Sequence, residues 1–268
     1  MYRYYQTSRT HGWEHLRDAP DVDDQVRKLG AKYLSVLAVD TVLNDEVDSP
    51  HDRQYRGPFY IDIDSKHDLA EAVQSARDIC DKLIDTYGVH EDHIYAWASG
   101  SKGIPIIVPA SCFSSGRAVK WLPLIYREMA KALWEPGLDF QVYSQGRGNS
   151  WRLENLQRED GNYRVPITMA ELKALTAENY KEFVKAPRVL VRDKPSDVKY
   201  AKLEQLFKNC ADIIKKDRNR INTVNPVPDK KLVEYFKEEV PQCITDVCDH
   251  RKRPDASFNA LAMQLSIF

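Results

Sequence analysis

Hydrophobic and polar positions divide the chain into stretches of distinct character. The first fifty residues are polar and irregular, apart from the apolar run Tyr33-Leu-Ser-Val-Leu-Ala-Val39. Leu43 to Arg56 is charged, contains Pro50 and reads as a loop. Phe59-Tyr-Ile-Asp-Ile-Asp64 then alternates with period two, the mark of a strand with Tyr60, Asp62 and Asp64 on one face and Ile61 and Ile63 on the other. Ser65-Lys-His-Asp68 resembles a capping box, and Leu69, Val73, Ala76, Cys80, Leu83 and Tyr87 recur at helical spacing up to Gly88.

Further along, His93 to Ala98 and Ile104 to Val108 read as strands around the small-residue turn Ser99-Gly-Ser-Lys-Gly103. Ala118 to Trp134 is helical in spacing, with Pro123 ending or kinking its first turn. Phe140–Ser144 and Trp151–Asn155 flank Gln145-Gly-Arg-Gly-Asn149, which predicts a hairpin. Tyr163 to Ile167 adds an edge strand, and Thr168-Met-Ala-Glu171 caps a short helix. Beyond about Lys185, the stretches 199–217, 229–239 and 257–266 suit helices, joined to the rest through the Pro-bearing link Ala186 to Pro195. The division expected is 1–185 and 186–268, and the apolar ending Leu265-Ser-Ile-Phe268 suggests continuation into a longer parent chain.

Composition changes this picture little. The 268 residues are 43% hydrophobic and 29% charged, with no low-complexity run. No apolar stretch approaches the roughly 20 residues that span a bilayer, and the start lacks the apolar core of a secretory signal. The expectation is a cytoplasmic protein with no membrane partner. Five scattered cysteines (Cys80, Cys112, Cys210, Cys243, Cys248) fit reduced thiols better than a disulfide framework. The alternative for Cys243 and Cys248 is a metal cluster completed outside this chain. The net charge of −1 argues against a uniformly basic coat. From Ala186 to Phe268 there are 16 Lys/Arg against 12 Asp/Glu, a surplus of 4, so the preceding part carries −5.

The candidate chemistry begins at Asp62 and Asp64. Two carboxylates on one strand face repel unless a cation neutralises them, and Mg²⁺ or Mn²⁺ takes such oxygens while keeping positions for water or phosphate. The pair alone leaves open a sugar transferase or an ordinary solvent-facing strand. A sugar transferase lacks support from any N-terminal nucleotide-binding strand–helix pattern. The Gly-Ser-Lys-Gly turn offers backbone N–H groups and one ammonium to a polyphosphate, or it is a solvated hairpin. Asp139 is a third candidate carboxylate or a turn aspartate. Arg147 and Arg152 suit bidentate phosphate contacts, though surface arginines are common.

Together these residues resemble the archaeo-eukaryotic primase superfamily, in its primase-polymerase form and in the polymerase domains of bacterial end-joining ligases. That family carries an apolar strand ending in Asp-x-Asp, matched by Tyr60-Ile-Asp-Ile-Asp64. Its second motif, Ser-Gly-Ser-Lys-Gly-apolar-His before an apolar strand and Pro, is matched by Ser99-Gly-Ser-Lys-Gly-Ile-Pro-Ile-Ile-Val-Pro109. The third, an apolar residue then Asp with Val-Tyr and an Arg-bearing strand shortly after, is matched by Leu138-Asp-Phe-Gln-Val-Tyr143 and Trp151-Arg-Leu153. The likeness covers about residues 55–167.

The resemblance implies an α+β fold. Its primase/polymerase-type core has mixed or antiparallel sheets with helices and an RRM-like palm, followed by a small helical domain. It implies a DNA primase/polymerase that transfers nucleotides from nucleoside triphosphates to a 3′-hydroxyl on a single-stranded DNA template. Asp62, Asp64 and Asp139 would hold two Mg²⁺ or Mn²⁺ ions, and Ser101, Lys102, Gly103, Arg147 and Arg152 the nucleotide. A replication-associated location, with a helicase or another replication subunit as partner, follows from the same likeness. One departure stands out: the family's second-motif histidine aligns with Pro105, which has no side-chain donor. Lys102, His90 or His93 is then the substitute, or the chain is a weak or inactive module that binds nucleotide or nucleic acid. For nucleic acid the candidate contacts are Lys215, Lys216, Arg218, Arg220, Arg251, Lys252 and Arg253.

Overall fold

The computed structural model describes residues 1–42, 53–65, 68–191 and 198–223, with side chains to 219. Its contacts divide the chain into two units, Met1–Lys216 and Asp217–Phe268. The first unit runs past the division expected near residue 185, because the helix from Ala201 buries Leu203, Cys210 and Ile214 in the main core. The stretches 229–239 and 257–266, Cys243 and Cys248 lie outside the described residues.

The first unit is α+β, with two sheets whose strand pairs are all antiparallel. One sheet holds β1 (Tyr2–Gln6), β2 (Glu14–Arg17), β3 (Tyr33–Ser35), β4 (Ala38–Val39) and β5 (Gln54–Arg56), with β9 (Val119–Lys120) and β10 (Ser150–Arg152). The other runs β11 (Val165–Ile167), β7 (Tyr95–Ala98), β8 (Ile106–Val108), β6 (Phe59–Ile61). Helices α1 (Val22–Lys28), α2 (Leu69–Asp81), α3 (Leu122–Ala132), α4 (Met169–Ala174), α5 (Ala177–Phe183) and α6 (Ala201–Thr223) complete it. No helix among the described residues is long and apolar enough to cross a membrane.

The N-terminal strands were invisible to an apolar count because tyrosines supply their burial. Tyr4 and Tyr5 are buried in β1, and Val22 and Val26 of α1 pack with Tyr5, Leu34 and Leu153. The loop expected over Leu43 to Arg56 likewise contains β5, whose Tyr55 is buried between exposed neighbours; residues 43–52 are outside the described set.

Several other boundaries move for identifiable reasons. Asp68, not Ser65, caps α2: its carboxylate accepts the Ala70 N–H at 2.8 Å, while the Ser65 hydroxyl accepts the Asp68 N–H and donates to Glu71. The helix then widens into a π turn over Lys82–Thr86. Val119–Lys120 is a strand rather than a first helical turn, since Trp121 takes a left-handed φ of 58° and Pro123 sits in the opening turn of α3. Thr168 and Glu171 form the expected reciprocal cap of α4, at 3.1 and 2.8 Å.

The predicted hairpin over 140–155 does not form. Phe140–Tyr143 is a 3₁₀ turn capped by Asp139, whose carboxylate accepts the Gln141 N–H at 2.8 Å. Trp151 and its neighbours pair instead with β3, placing Arg152 opposite Tyr33. Nonlocal pairing of this kind has no counterpart in a local apolar pattern.

Candidate active site

The Asp-x-Asp segment lies at the end of β6, between two backbone neighbours. On one side, the β6–β8 register (Phe59↔Val108, Tyr60↔Ile107, Ile61↔Ile106) continues through an Ile104 N–H to Ile63 carbonyl bond and an Asp64↔Gly103 bridge. That register puts Pro105 opposite Asp62. On the other side, an Ile63↔Leu138 bridge is flanked by Asp64 N–H to Gly137 and Asp139 N–H to Asp62 bonds, both 2.9 Å. That register puts Asp139 opposite Asp62 and Gly137 opposite Asp64. Directly opposed residues of an antiparallel pair share a face, with Cβ atoms about 4.5–5.5 Å apart. Asp62 and Asp139 are thus neighbours by backbone geometry.

Two tyrosines lock the turn carrying Asp139 onto the strand carrying Asp62. The Tyr143 hydroxyl donates to the Tyr60 carbonyl at 2.7 Å, and the Tyr60 hydroxyl donates to the Val142 carbonyl at 3.1 Å. Both rings are fully buried, with centroids 5.1 Å apart. Burial is thus graded along β6. Tyr60 is in the core, Asp62 is at its boundary and Asp64 is exposed.

Asp62 feels this position. Burial, then the neighbouring charges of Asp139 and Asp64, push its carboxyl from 3.8 up to about 6, against smaller opposing effects of Arg164 and the Trp151 indole. The Trp151 Nε1 is near enough to act on Asp62 but meets no acceptor at hydrogen-bond geometry.

The Ser99–Gly103 turn approaches Asp64 closely because position 103 is glycine. A Cβ there would sit 2.7 Å from the Ile63 carbonyl oxygen. At the other end, Gly100 has φ +82° and abuts the Tyr163 backbone, which explains the second glycine. The Ser99 hydroxyl accepts the N–H groups of Ser101 and Gly103 at 3.3 and 3.0 Å, and Tyr180 of α5 donates to the Gly103 carbonyl. Those two N–H groups therefore point into the turn rather than toward a ligand, contrary to the cradle expected from the motif. What the turn presents outward is the exposed pair Ser101 and Lys102.

Asp62, Asp64, Ser101, Lys102, Gly103, Pro105 and Arg152 line one cleft of about 200 Å³. Arg9, Tyr33, Arg158 and Arg164 line it as well. Arg152 is fixed by its register: its Nη2 donates to the Tyr33 hydroxyl at 2.7 Å and its guanidinium lies 4.9 Å from that ring. Arg164 is 7% exposed; it stacks on Trp97 and Trp151 at 4.6 and 5.2 Å and donates to the Arg152 carbonyl. Asp62 and Asp64 thus share one cleft with four guanidinium groups, whereas Asp139, opposite Asp62 in register, is not among the residues lining it.

Solved structures similar to this chain include a pair that match most of its length. One is the polymerase domain from Mycobacterium tuberculosis Ligase D in complex with DNA, at 15% identity and TM-score 0.39, covering 78% of this chain and 70% of that one. The other is primase RepB′, at 9% identity and TM-score 0.38, covering 94% and 69%. No family model matches the chain, and no curated protein matches it in sequence.

Other expected positions lie elsewhere. Arg147 does not line the cleft; its guanidinium lies 5.8 Å from the Tyr4 ring and 5.9 Å from that of Trp13. His90 and His93, suggested substitutes for a histidine at 105, line a separate cavity of about 620 Å³, where His93 Nδ1 meets the Tyr200 hydroxyl at 2.5 Å. Lys215 and Lys216 are exposed on α6 and Arg218 is partly exposed. The side chain of Arg220, with Arg251, Lys252 and Arg253, falls outside the described residues. Cys80, Cys112 and Cys210 are buried thiols whose pKa burial raises to about 12, 11 and 11.

Arg9, Tyr33, Arg158 and Arg164 carried no sequence signal. Arg9 stands in a polar loop, Tyr33 opens an apolar run, and the two other arginines follow the third motif without belonging to it. Only the tertiary fold, through loops and sheet pairing, brings them to the aspartates.

Proposed function

We propose that this chain transfers nucleotides from nucleoside triphosphates to a 3′-hydroxyl on a single-stranded DNA template, as a primase-polymerase. The observation that carries the reading is the register of Asp139 beside Asp62, which with Asp64 lines a cleft shared with guanidinium groups. Carboxylates and guanidinium groups lining one cleft suit a metal–triphosphate better than a neutral ligand.

Asp62, Asp64 and Asp139 are the proposed holders of Mg²⁺ or Mn²⁺. The donors fit: all are hard carboxylate oxygens, and burial, with the facing charges of Asp139 and Asp64, holds the Asp62 carboxyl at an elevated pKa that a cation would relieve. Among the described residues no three His, Cys, Asp or Glu side chains form a ready-made cage. Water and phosphate oxygens would complete the coordination of such an ion, as is usual for Mg²⁺. When bound, two such ions activate the attacking hydroxyl and stabilise the departing pyrophosphate. The chain's own work is to hold the carboxylates in register and to present Ser101, Lys102 and Arg152 to the phosphates.

The test is incorporation of labelled nucleotides on single-stranded DNA with Mg²⁺ or Mn²⁺. Asp62→Ala is expected to abolish it, and robust incorporation by that variant overturns the site. Pro105 favours a second reading, a weak or inactive module that keeps nucleotide or nucleic-acid binding. It lines the cleft opposite Asp62 and offers no donor there, while its carbonyl accepts the Trp97 N–H at 3.0 Å on the β7 side. Salt-sensitive binding to single strands without incorporation under any divalent metal would select that reading. Pro105→His separates the two: a gain of incorporation marks a competent site short of one donor, and none marks a binding module.

A further inference from the structure

Trp151 carries, beside the inner aspartate, a hydrogen-bond donor that the fold leaves unused. The residue is 9% exposed, and its Nε1 is buried with no partner at hydrogen-bond geometry. A buried N–H without an acceptor is uncommon and unfavourable, so its place in a cleft calls for a reason. The ring itself is fixed. β10 sets Trp151 opposite Leu34, and the indole meets Tyr60 edge-on at 6.0 Å and Trp97 at 6.5 Å, with the Arg164 guanidinium 5.2 Å from it. Tyr60 lies two residues before Asp62 on the same strand face, so packing on Tyr60 brings the indole to Asp62. Both Trp151 and Asp62 line the aspartate cleft.

Asp62 has few other sources of a donor. Its neighbours in register are Pro105, which has no side-chain N–H or O–H, and Asp139, which is itself an acid. Arg164 acts on Asp62 through its charge, while its Nη1 is committed to the Arg152 carbonyl. The Trp151 N–H already favours the charged form of the carboxyl. A carboxylate that gives one oxygen to a cation keeps lone pairs on the other, and in a partly buried setting these need a donor. We propose that Trp151 is a positioning residue: its Nε1–H donates to the Asp62 oxygen turned away from the cation, and so selects the oxygen offered to metal. The packed indole stays in place, and a turn of the Asp62 carboxylate closes the bond. This inference rests on Asp62 as a metal ligand in the reading above.

The experiment uses the full chain without nucleotide. Mn²⁺ affinity, measured by electron paramagnetic resonance of the free ion, is expected to fall about ten-fold or more in Trp151→Phe. Benzothienylalanine at 151 keeps the bicyclic shape and lacks the N–H; it is expected to match that loss, and it replaces the Phe variant if the latter folds poorly. In protein labelled with ¹⁵N-tryptophan, the indole signal that either replacement deletes is expected to move downfield when Mg²⁺ is added to the wild type, and to stay in Asp62→Asn. Wild-type Mn²⁺ affinity with the isostere, or an indole signal unmoved while Mg²⁺ binds, overturns the proposal and leaves the metal site standing. A shift that persists in Asp62→Asn, or that comes only once a nucleoside triphosphate is added, overturns it as well, because the N–H then serves another acceptor. Absence of Mn²⁺ binding to the wild type overturns the metal site itself, and the proposal with it.

Discussion

Replacing Asp62 by asparagine removes a charge that the metal-free fold holds at a disadvantage. The native carboxyl titrates at about 6 against 3.8 for an ordinary aspartate, first because it is buried and then because Asp139 and Asp64 face it. A raised carboxylate pKa means that the native state binds the proton more tightly than the unfolded chain. Stability therefore falls as pH rises from about 4 to about 6, and the whole penalty is present above that window. At about 1.36 kcal/mol per pKa unit, the gap corresponds to roughly 3 kcal/mol. That shift already includes the opposing attraction of Arg164, and asparagine packs and hydrogen-bonds differently from a protonated aspartate. A gain of about 1–3 kcal/mol is therefore expected at about pH 8, or roughly 3–10 °C in Tm. Thermal unfolding in EDTA checks this, for wild type and Asp62→Asn, at about pH 8 and again at about pH 4. The variant should melt higher at the alkaline pH and level with the wild type at the acid one. Adding Mn²⁺ should raise the wild type and leave the variant unmoved, because only the wild type gains a ligand-linked term. A variant that melts at or below the wild type at the alkaline pH in EDTA, or keeps the same offset in acid, refutes the argument.

Tyr143→Phe deletes the hydroxyl that ties the Asp139 turn to the Tyr60 carbonyl. The loss of that buried bond should cost about 1–2 kcal/mol in urea unfolding and lower kcat for incorporation with little change in nucleotide KM. Gly103→Ala and Gly137→Ala form a contrasting pair. The first drives a Cβ to 2.7 Å from the Ile63 carbonyl, while the second meets nothing closer than 3.6 Å and only forces φ +75° on alanine. Urea unfolding should show a loss of about 1–2 kcal/mol for Gly137→Ala, from the left-handed backbone alone, and a larger loss for Gly103→Ala.

The parts legible in the sequence are those whose cause is local. Period two over Phe59–Asp64 put Asp62 and Asp64 on one face, and the Thr168 cap of α4 was evident from four residues. The helical spacing after Asp68 is α2, although Asp68 itself does the capping. Asp139 was reached only by resemblance, since its partner lies on a distant strand and its own neighbourhood reads as a strand but closes into a 3₁₀ turn. Arg152 emerged from its motif, whereas Arg147, five residues earlier, belongs with Tyr4 and Trp13. Arg9, Arg158 and Arg164 were beyond local reading because each is placed by a loop or pairing elsewhere in the fold. Tyrosine-rich β1 and β5 were missed because a polar hydroxyl masks a ring that is almost wholly buried.

Asp64 sits between Gly103 on one flank and Gly137 on the other. No side chain from either neighbouring strand shields this carboxylate, while Asp62 is hemmed in by Pro105 and Asp139. The two aspartates of one motif are thus unequal in access: Asp64 meets solvent freely, whereas Asp62 is only partly exposed. A side chain at 137, whose Cβ would sit 3.7 Å from the Asp64 carbonyl oxygen, would crowd the outer carboxylate before the inner one.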